Sequence, residues 1–225
     1  MERLEAELAR ARELSVADLA DAVESIGFEC TRCGACCRGH GDDPHTATAF
    51  PDEVRDLQDA TGYDWRDVAR PMPYGLTEGD DGTETGATFE WALQTDDCGD
   101  CTFYAEDDDG TGACTVHADR PLVCRTYPFS VALGGTSQPL GEAVDEAGLV
   151  RAHECAGLGR EIDRADAEEL ARALKARAIR ELEEAIAVRD RYEPVDADGV
   201  VVHDSEGQKR PDGTPVGGGG ASEDA

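Results

Sequence analysis

Apolar residues recur at helical spacing near both ends of the chain. Leu4, Leu8 and Ala11 share one face, and Leu19, Val23 and Ile26 share another, so the spacing predicts helix over residues 1–26. Ser15 with Asp18 three residues later resembles a capping box and predicts a restart there, and Gly27 predicts the stop. A short helix is expected over 51–60, with Pro51 in its first turn and Val54 and Leu57 inward. Asp64 is placed to cap one more turn through Trp65 and Val68. From Asp166 to Arg189, Leu170, Leu174, Ala178, Leu182 and Ile186 make a broad apolar face on a helix of about six turns.

Between these helices the period changes. Phe89, Trp91 and Leu93 alternate with Thr88, Glu90 and Ala92, which predicts a half-buried strand over 88–93. Phe129, Val131 and Leu133 repeat the pattern until Gly134-Gly135 breaks it. Residues 75–87, rich in Gly, Thr and acids, read as a mobile loop. Beyond Glu193 there is little apolar content, and the chain closes on Gly217 to Gly220 and an acidic tip, so no fixed structure is expected over 193–225. There is no internal repeat.

These elements predict an α+β protein of 225 residues: a helical segment over 1–27, a central domain over 28–159 with short strands, a helix over 160–192 and the tail. Only 5% of residues are aromatic, so the central domain is expected to have a thin apolar core that a bound metal would reinforce.

The net charge is −29, from 50 acidic and 21 basic residues. Lys175 and Lys209 are the only lysines. The acids spread along the chain, which describes a solvating surface more than an interaction arm. Such surfaces resemble those of salt-in halophiles, where molar salt shortens the screening length to roughly 3 Å. The charge therefore reports habitat. It argues against nucleic acid and anionic membranes as partners, since both need a basic face. The acid-rich start lacks the apolar stretch of a signal peptide, and no apolar run reaches about 18 residues, so the expected location is the cytoplasm.

Nine cysteines change the picture. Four lie within eight residues, Cys30-Thr31-Arg32-Cys33-Gly34-Ala35-Cys36-Cys37, and Cys98, Cys101, Cys114, Cys124 and Cys155 follow far along the chain. Thiols cluster this tightly around a metal ion, an iron–sulfur cluster or a disulfide framework, and a reducing cytosol favours the first two. The Cys-x2-Cys spacing of Cys30–Cys33, Cys33–Cys36 and Cys98–Cys101 lets two thiolates chelate one metal while turn amides point at the sulfurs. Cys37 directly after Cys36 departs from the bacterial ferredoxin run, and side chains of adjacent cysteines diverge. The pair suggests a bridge between two sites, or one ligand and one spare.

The joint pattern resembles a known family. Its motif Cys-x-x-Cys-x-x-Cys-Cys is Cys30, Cys33, Cys36 and Cys37 here. A second block reads Cys101-Thr102-Phe103, Gly112-Ala113-Cys114-Thr115-Val116 and Arg120-Pro121-Leu122-Val123-Cys124-Arg125-Thr126-Tyr127-Pro128-Phe129, and Cys155-Ala156-Gly157 resembles the closing cysteine. This is similar to the YkgJ-type cysteine-cluster family, described as zinc- or iron-chelating and often labelled iron–sulfur-containing, over about residues 28–159. The resemblance implies Cys30, Cys33, Cys36, Cys37, Cys101, Cys114, Cys124 and Cys155 as metal ligands. Cys98 is additional to the pattern, and His117 stands where the family commonly has Tyr.

Arg120 and Arg125 flank Cys124. They read either as surface cations of an acidic protein or as groups that offset thiolate charge and help hold a cluster. Tyr127-Pro128-Phe129 reads as local packing, and His117, His40 and His45 as ordinary loop or core histidines. No phosphate loop, nucleophile elbow or His-Glu-x-x-His motif occurs. The expected function is an iron–sulfur protein with a redox or accessory role, with an unknown protein partner possible. Two alternatives stand beside it. One is a structural zinc module for protein contacts. The other, through the family's relationship to flagellin lysine methylases, is a protein lysine methylase.

Overall fold

The computed structural model describes residues 3–41, 43–79, 81–133, 142–143, 148–195 and 199–216. Two helices open the chain, α1 (Leu4–Glu13) and α2 (Val16–Ile26). The Ser15 hydroxyl accepts a hydrogen bond from the Asp18 N–H at 3.3 Å, as the capping pattern predicts. Gly27, at φ 75°, ends α2. Next come β1 (Thr48–Ala49), α3 (Pro51–Thr61), α4 (Trp65–Val68) and β2 (Ala69–Pro71). β3 (Leu76–Glu78), β4 (Glu84–Thr88) and β5 (Trp91–Leu93) follow. The cysteine-rich half holds β6 (Tyr104–Glu106), β7 (Gly112–Cys114), a 3₁₀ turn (His117–Asp119), α5 (Leu122–Thr126), β8 (Phe129–Val131), β9 (Glu142–Ala143) and β10 (Val150–Ala152). The long helix α6 (Arg164–Arg191) and a hairpin of β11 (Val200–Asp204) and β12 (Gly207–Lys209) complete it. The class is α+β, with small sheets flanked by helices.

Two apolar cores organise these elements. In the first, α1, α2 and α6 pack on β8 and β10 through Leu19, Val23, Leu174, Phe129 and Val150. In the second, α3 and α4 close over the sheet β1-β5-β2, burying Val54, Leu57, Val68, Trp91 and Phe103. The expected segments 1–27, 28–159 and 160–192 do not coincide with these cores, because β8 and β10 leave the cysteine region to cover the helices. Of the few aromatic side chains, Trp91, Phe103 and Phe129 are fully buried, while Tyr63, Tyr74, Phe89 and Tyr192 are exposed.

Three expectations are corrected. Residues 75–87 are not a loop throughout: β3 and β4 pair antiparallel from Leu76↔Gly86 to Glu78↔Glu84. The threonines that read as polar loop residues are good strand formers on an exposed face. The strand over 88–93 is interrupted at Phe89-Glu90, so Phe89 is exposed and Trp91, Ala92 and Leu93 are all buried in a different sheet from β4. The tail is structured over 199–216. β11 pairs parallel with β4, Val200↔Gly86 through Val202↔Thr88, and buries Val201 and Val202. Asp204, also buried, accepts the Trp91 indole N–H at 2.9 Å and pairs with Lys209 at 2.9 Å. Three β-branched residues in a row suffice for a strand once β4 supplies the partner. The Gly134-Gly135 break and the glycine-rich end at 217–225 lie outside the described residues.

Candidate metal centre

The Cys30–Cys37 loop is pinned at both ends and in the middle. Phe28 bridges to Leu158, and the Glu29 N–H donates to the Gly157 carbonyl at 3.1 Å, which sets the loop's start beside Cys155. The Arg32 carbonyl accepts from the Gly112 N–H at 2.7 Å, tying the loop to β7. Gly34 lies at φ 75° against Tyr104, where an added Cβ would meet the phenol oxygen at 2.3 Å, so only glycine fits. Past the turn, the Cys37 carbonyl accepts the Cys101 N–H at 2.8 Å. The His45 ring, buried, makes a 3.1 Å hydrogen bond from Nε2 to the Cys36 carbonyl. Burial holds its pKa below the ordinary range, so the ring is neutral with the proton on Nε2.

The distant cysteines reach the loop through the second core. Tyr104 donates its N–H to the Cys101 carbonyl at 2.8 Å and faces Cys114 across the β6–β7 pair. Cys124 lies in α5, whose Leu122 N–H donates to the Glu53 carboxylate at 2.8 Å; the same carboxylate takes the Phe50 N–H at 2.9 Å. Cys101 is buried within this core, and Cys37, Cys114 and Cys124 pack against it. Cys30, Cys33 and Cys36 are exposed, and Cys155 is half-buried. Cys98 is exposed in the 96–100 turn, its N–H bound to Asp96 at 2.8 Å.

Backbone amides act on sulfur in four places. The amides of Ala35, Phe103, Val116 and Gly157 favour the thiolates of Cys33, Cys101, Cys114 and Cys155, each two residues earlier. The Gly157 contact measures 3.4 Å. Only the Ala35 amide lies inside a Cys-x2-Cys turn, Cys33–Cys36; the other three follow cysteines outside such turns, and all four favour the thiolate. The Ala35 amide, helped by Thr31, holds the Cys33 thiol below its ordinary value. Cys36 and Cys37 share a hydrogen bond at 3.8 Å that draws Cys36 down to about 7 and drives Cys37 up. Burial pushes Cys101 up to about 11 and raises Cys114, Cys124 and Cys155. Buried thiols of this kind ionise when a cation compensates the desolvated charge, so metal uptake would release protons.

Arg120 is the cation closest in effect. Its charge lowers Cys36, Cys114 and Cys124, and its Nε donates to the His117 carbonyl at 3.1 Å. Arg125 lies on the same face, where a cleft of about 580 Å3 is lined by Phe28, Glu29, Cys30, His117, Arg120 and Arg125. The Arg120 charge depresses His117. The Tyr127 hydroxyl donates to the Glu154 carbonyl, next to Cys155, at 3.0 Å.

The donor set fits a thiophilic metal: sulfur ligands in number, backed by amides and one arginine. Among the described residues no three His, Cys, Asp or Glu side chains converge on one point at ligating distance. Packing and backbone contacts bring the candidate cysteines into one region. Two supports went unread in the sequence. His45 looks like any loop histidine until its contact with Cys36 is seen. Tyr104 takes a 2.7 Å hydrogen bond from Arg38 and gives one of 2.6 Å to Glu106, which steadies the turn after Cys37. Gly34 within the motif was the one signal that something large packs there.

No curated protein and no solved structure matches the chain. A family model does, over residues 29–156, from just before Cys30 to just after Cys155 and more than half of the chain. The chain belongs to the CxxCxxCC family, described as a putative zinc- or iron-chelating domain.

Proposed function

We propose that this protein carries an iron–sulfur centre on its cysteine thiolates and serves a redox or accessory role. The carrying observation is the gathering of distant thiols: Cys101 lies in the second core with Cys37, Cys114 and Cys124 packed against it, and the Glu29–Gly157 bond sets the Cys30 loop beside Cys155, whose sulfur takes the Gly157 N–H at 3.4 Å. Amides directed at sulfur stabilise thiolates and tune the potential of a cluster. Eight family-pattern thiols exceed the four that one tetrahedral ion uses, which supports iron–sulfur over a lone zinc. The exposed Cys30, Cys33 and Cys36 support electron exchange with a partner at the surface. Arg120 offsets the thiolate charge, and Arg125 is placed to extend that role to the cleft.

A structural zinc centre is the second reading, favoured by Cys101, which lies inside an apolar core where a closed site would be shielded from solvent. The lysine-methylase reading draws on the family relationship alone. No helix among the described residues is long and apolar enough to cross a membrane. Anaerobic purification in molar salt tests the proposal. The expected product is brown, absorbs broadly near about 400 nm and contains iron and acid-labile sulfide. Colourless protein with stoichiometric zinc and no sulfide would transfer the case to the zinc reading.

A further inference from the structure

We infer that the eight family-pattern cysteines form two separate four-thiolate metal centres, an inner one from Cys37, Cys101, Cys114 and Cys124 and an outer one from Cys30, Cys33, Cys36 and Cys155. The inference rests on the reading that these thiols bind metal, and it adds how they divide. Membership of the second core makes the first division. Cys37, Cys101, Cys114 and Cys124 all belong to, or pack on, the core built from Val54, Leu57 and Trp91. None of the other four does: three are exposed, and Cys155, half-buried like Cys37, Cys114 and Cys124, lies outside that core.

Backbone contacts also run within each group, while the bond from the Gly112 N–H to the Arg32 carbonyl joins the two. Within the inner group, Cys101 is bonded to the Cys37 carbonyl, and Cys114 is paired across β6–β7 with Tyr104, which is bonded to the Cys101 carbonyl. Cys124 joins through α5, held to α3 by Glu53. Within the outer group, the Phe28–Leu158 bridge and the Glu29–Gly157 hydrogen bond bring the start of the Cys30 loop to the Cys155 turn. Cys36 and Cys37 are the dividing point. One is exposed, the other packs on the core, and their sulfurs meet at 3.8 Å, so the two centres adjoin there. Each group then has the four thiolates that a tetrahedral centre uses, and metal binding would draw together side chains that do not converge among the described residues. Cys98 is in neither.

The chemical consequence is a difference in lability. The inner centre is shielded by the apolar core and couples to folding. The outer centre faces solvent beside the Arg120–Arg125 cleft and exchanges with chelators and partners.

The test titrates Zn2+, as a probe of the thiolate sites, into anaerobic reduced full-length protein in molar salt. Two equivalents per chain are expected, and removal by a chromophoric chelator should be biphasic. Iodoacetamide added during that removal, with peptide mass mapping, should label Cys30, Cys33, Cys36 and Cys155 before Cys37, Cys101, Cys114 and Cys124. Cys33→Ser and Cys155→Ser should each lose the fast equivalent and keep the slow one, with thermal stability largely retained. Cys114→Ser should lose the slow equivalent; if it fails to fold, the labelling order in the wild-type chain still decides. One equivalent in the wild-type chain, single-phase release, or labelling that mixes the two groups would overturn the division while leaving metal binding intact. No uptake of Zn2+ or iron would overturn the metal-binding reading itself.

Discussion

Replacing Val202 with alanine tests whether the C-terminal hairpin belongs to the core that carries the inner cysteines. Val202 is fully buried, in the same core as Trp91 and Cys101. The substitution removes two buried carbons, worth about 1.6 kcal/mol at about 0.8 kcal/mol each. Incomplete closure of the cavity raises the loss to about 2 kcal/mol. For a chain of this size each kcal/mol shifts the melting temperature by about 2–4 °C, so a fall of about 4–8 °C is expected. Ending the chain after Tyr192 goes further. It removes the burial of both Val201 and Val202 and strips the Trp91 indole N–H of its acceptor, Asp204. An orphaned buried donor alone costs about 1–3 kcal/mol. The sum, about 5–7 kcal/mol, rivals the whole stability of an ordinary domain. The assay is thermal unfolding by far-ultraviolet circular dichroism in molar salt, with metal content measured on the same samples. Glu193→Ala, an exposed change before the hairpin, should stay within about 0.5 kcal/mol of the parent. If Val202→Ala melts with the parent, or the shortened chain keeps its stability and metal, the hairpin is not part of that core.

Three further outcomes follow from other contacts. Glu53→Ala frees the Leu122 and Phe50 amides and should cost about 2 kcal/mol and weaken metal retention at Cys124, while Glu53→Gln, which keeps an acceptor, should cost less; unfolding and metal analysis of both variants check this. Arg55, with Lys209, draws the Glu206 carboxyl down to about 2, so its folded value lies below its unfolded one. Its contribution is present above about 4.5 and is lost as the pH falls toward 2. An acid titration of stability should be flatter in that window for Glu206→Gln, and an unchanged profile would refute the pairing. If the charge of −29 is an adaptation to salt, dilution should unfold the protein and release metal together, and full stability in dilute buffer would end that reading.

The sequence alone determined the parts that depend on neighbours along the chain. The restart at Ser15, the stop at Gly27, the turn after Asp64 and the long helix were legible because caps and a 3.6-residue period act over a few residues. The helix runs from Arg164 to Arg191, a turn beyond the apolar pattern taken at its two ends together, where Asp163 caps it by accepting the Asp166 N–H. Cysteine spacing announced a metal site, and the two-block motif announced the family, because both are written in order along the chain.

Tertiary structure decided what depends on residues far apart. The sheet over 200–204 needed β4, more than a hundred residues earlier, and its three valines carry no strand signal strong enough alone. The same holds for β3 and β4, whose polar faces conceal their pairing. His45 gained a role only when the fold set it under the Cys36 carbonyl, and Tyr104 only when Gly34 let it approach. The proposed division of the cysteines is of this kind as well. Spacing shows that Cys36 and Cys37 are adjacent, but only packing shows that one meets solvent and the other the core, since burial is a property of the whole fold.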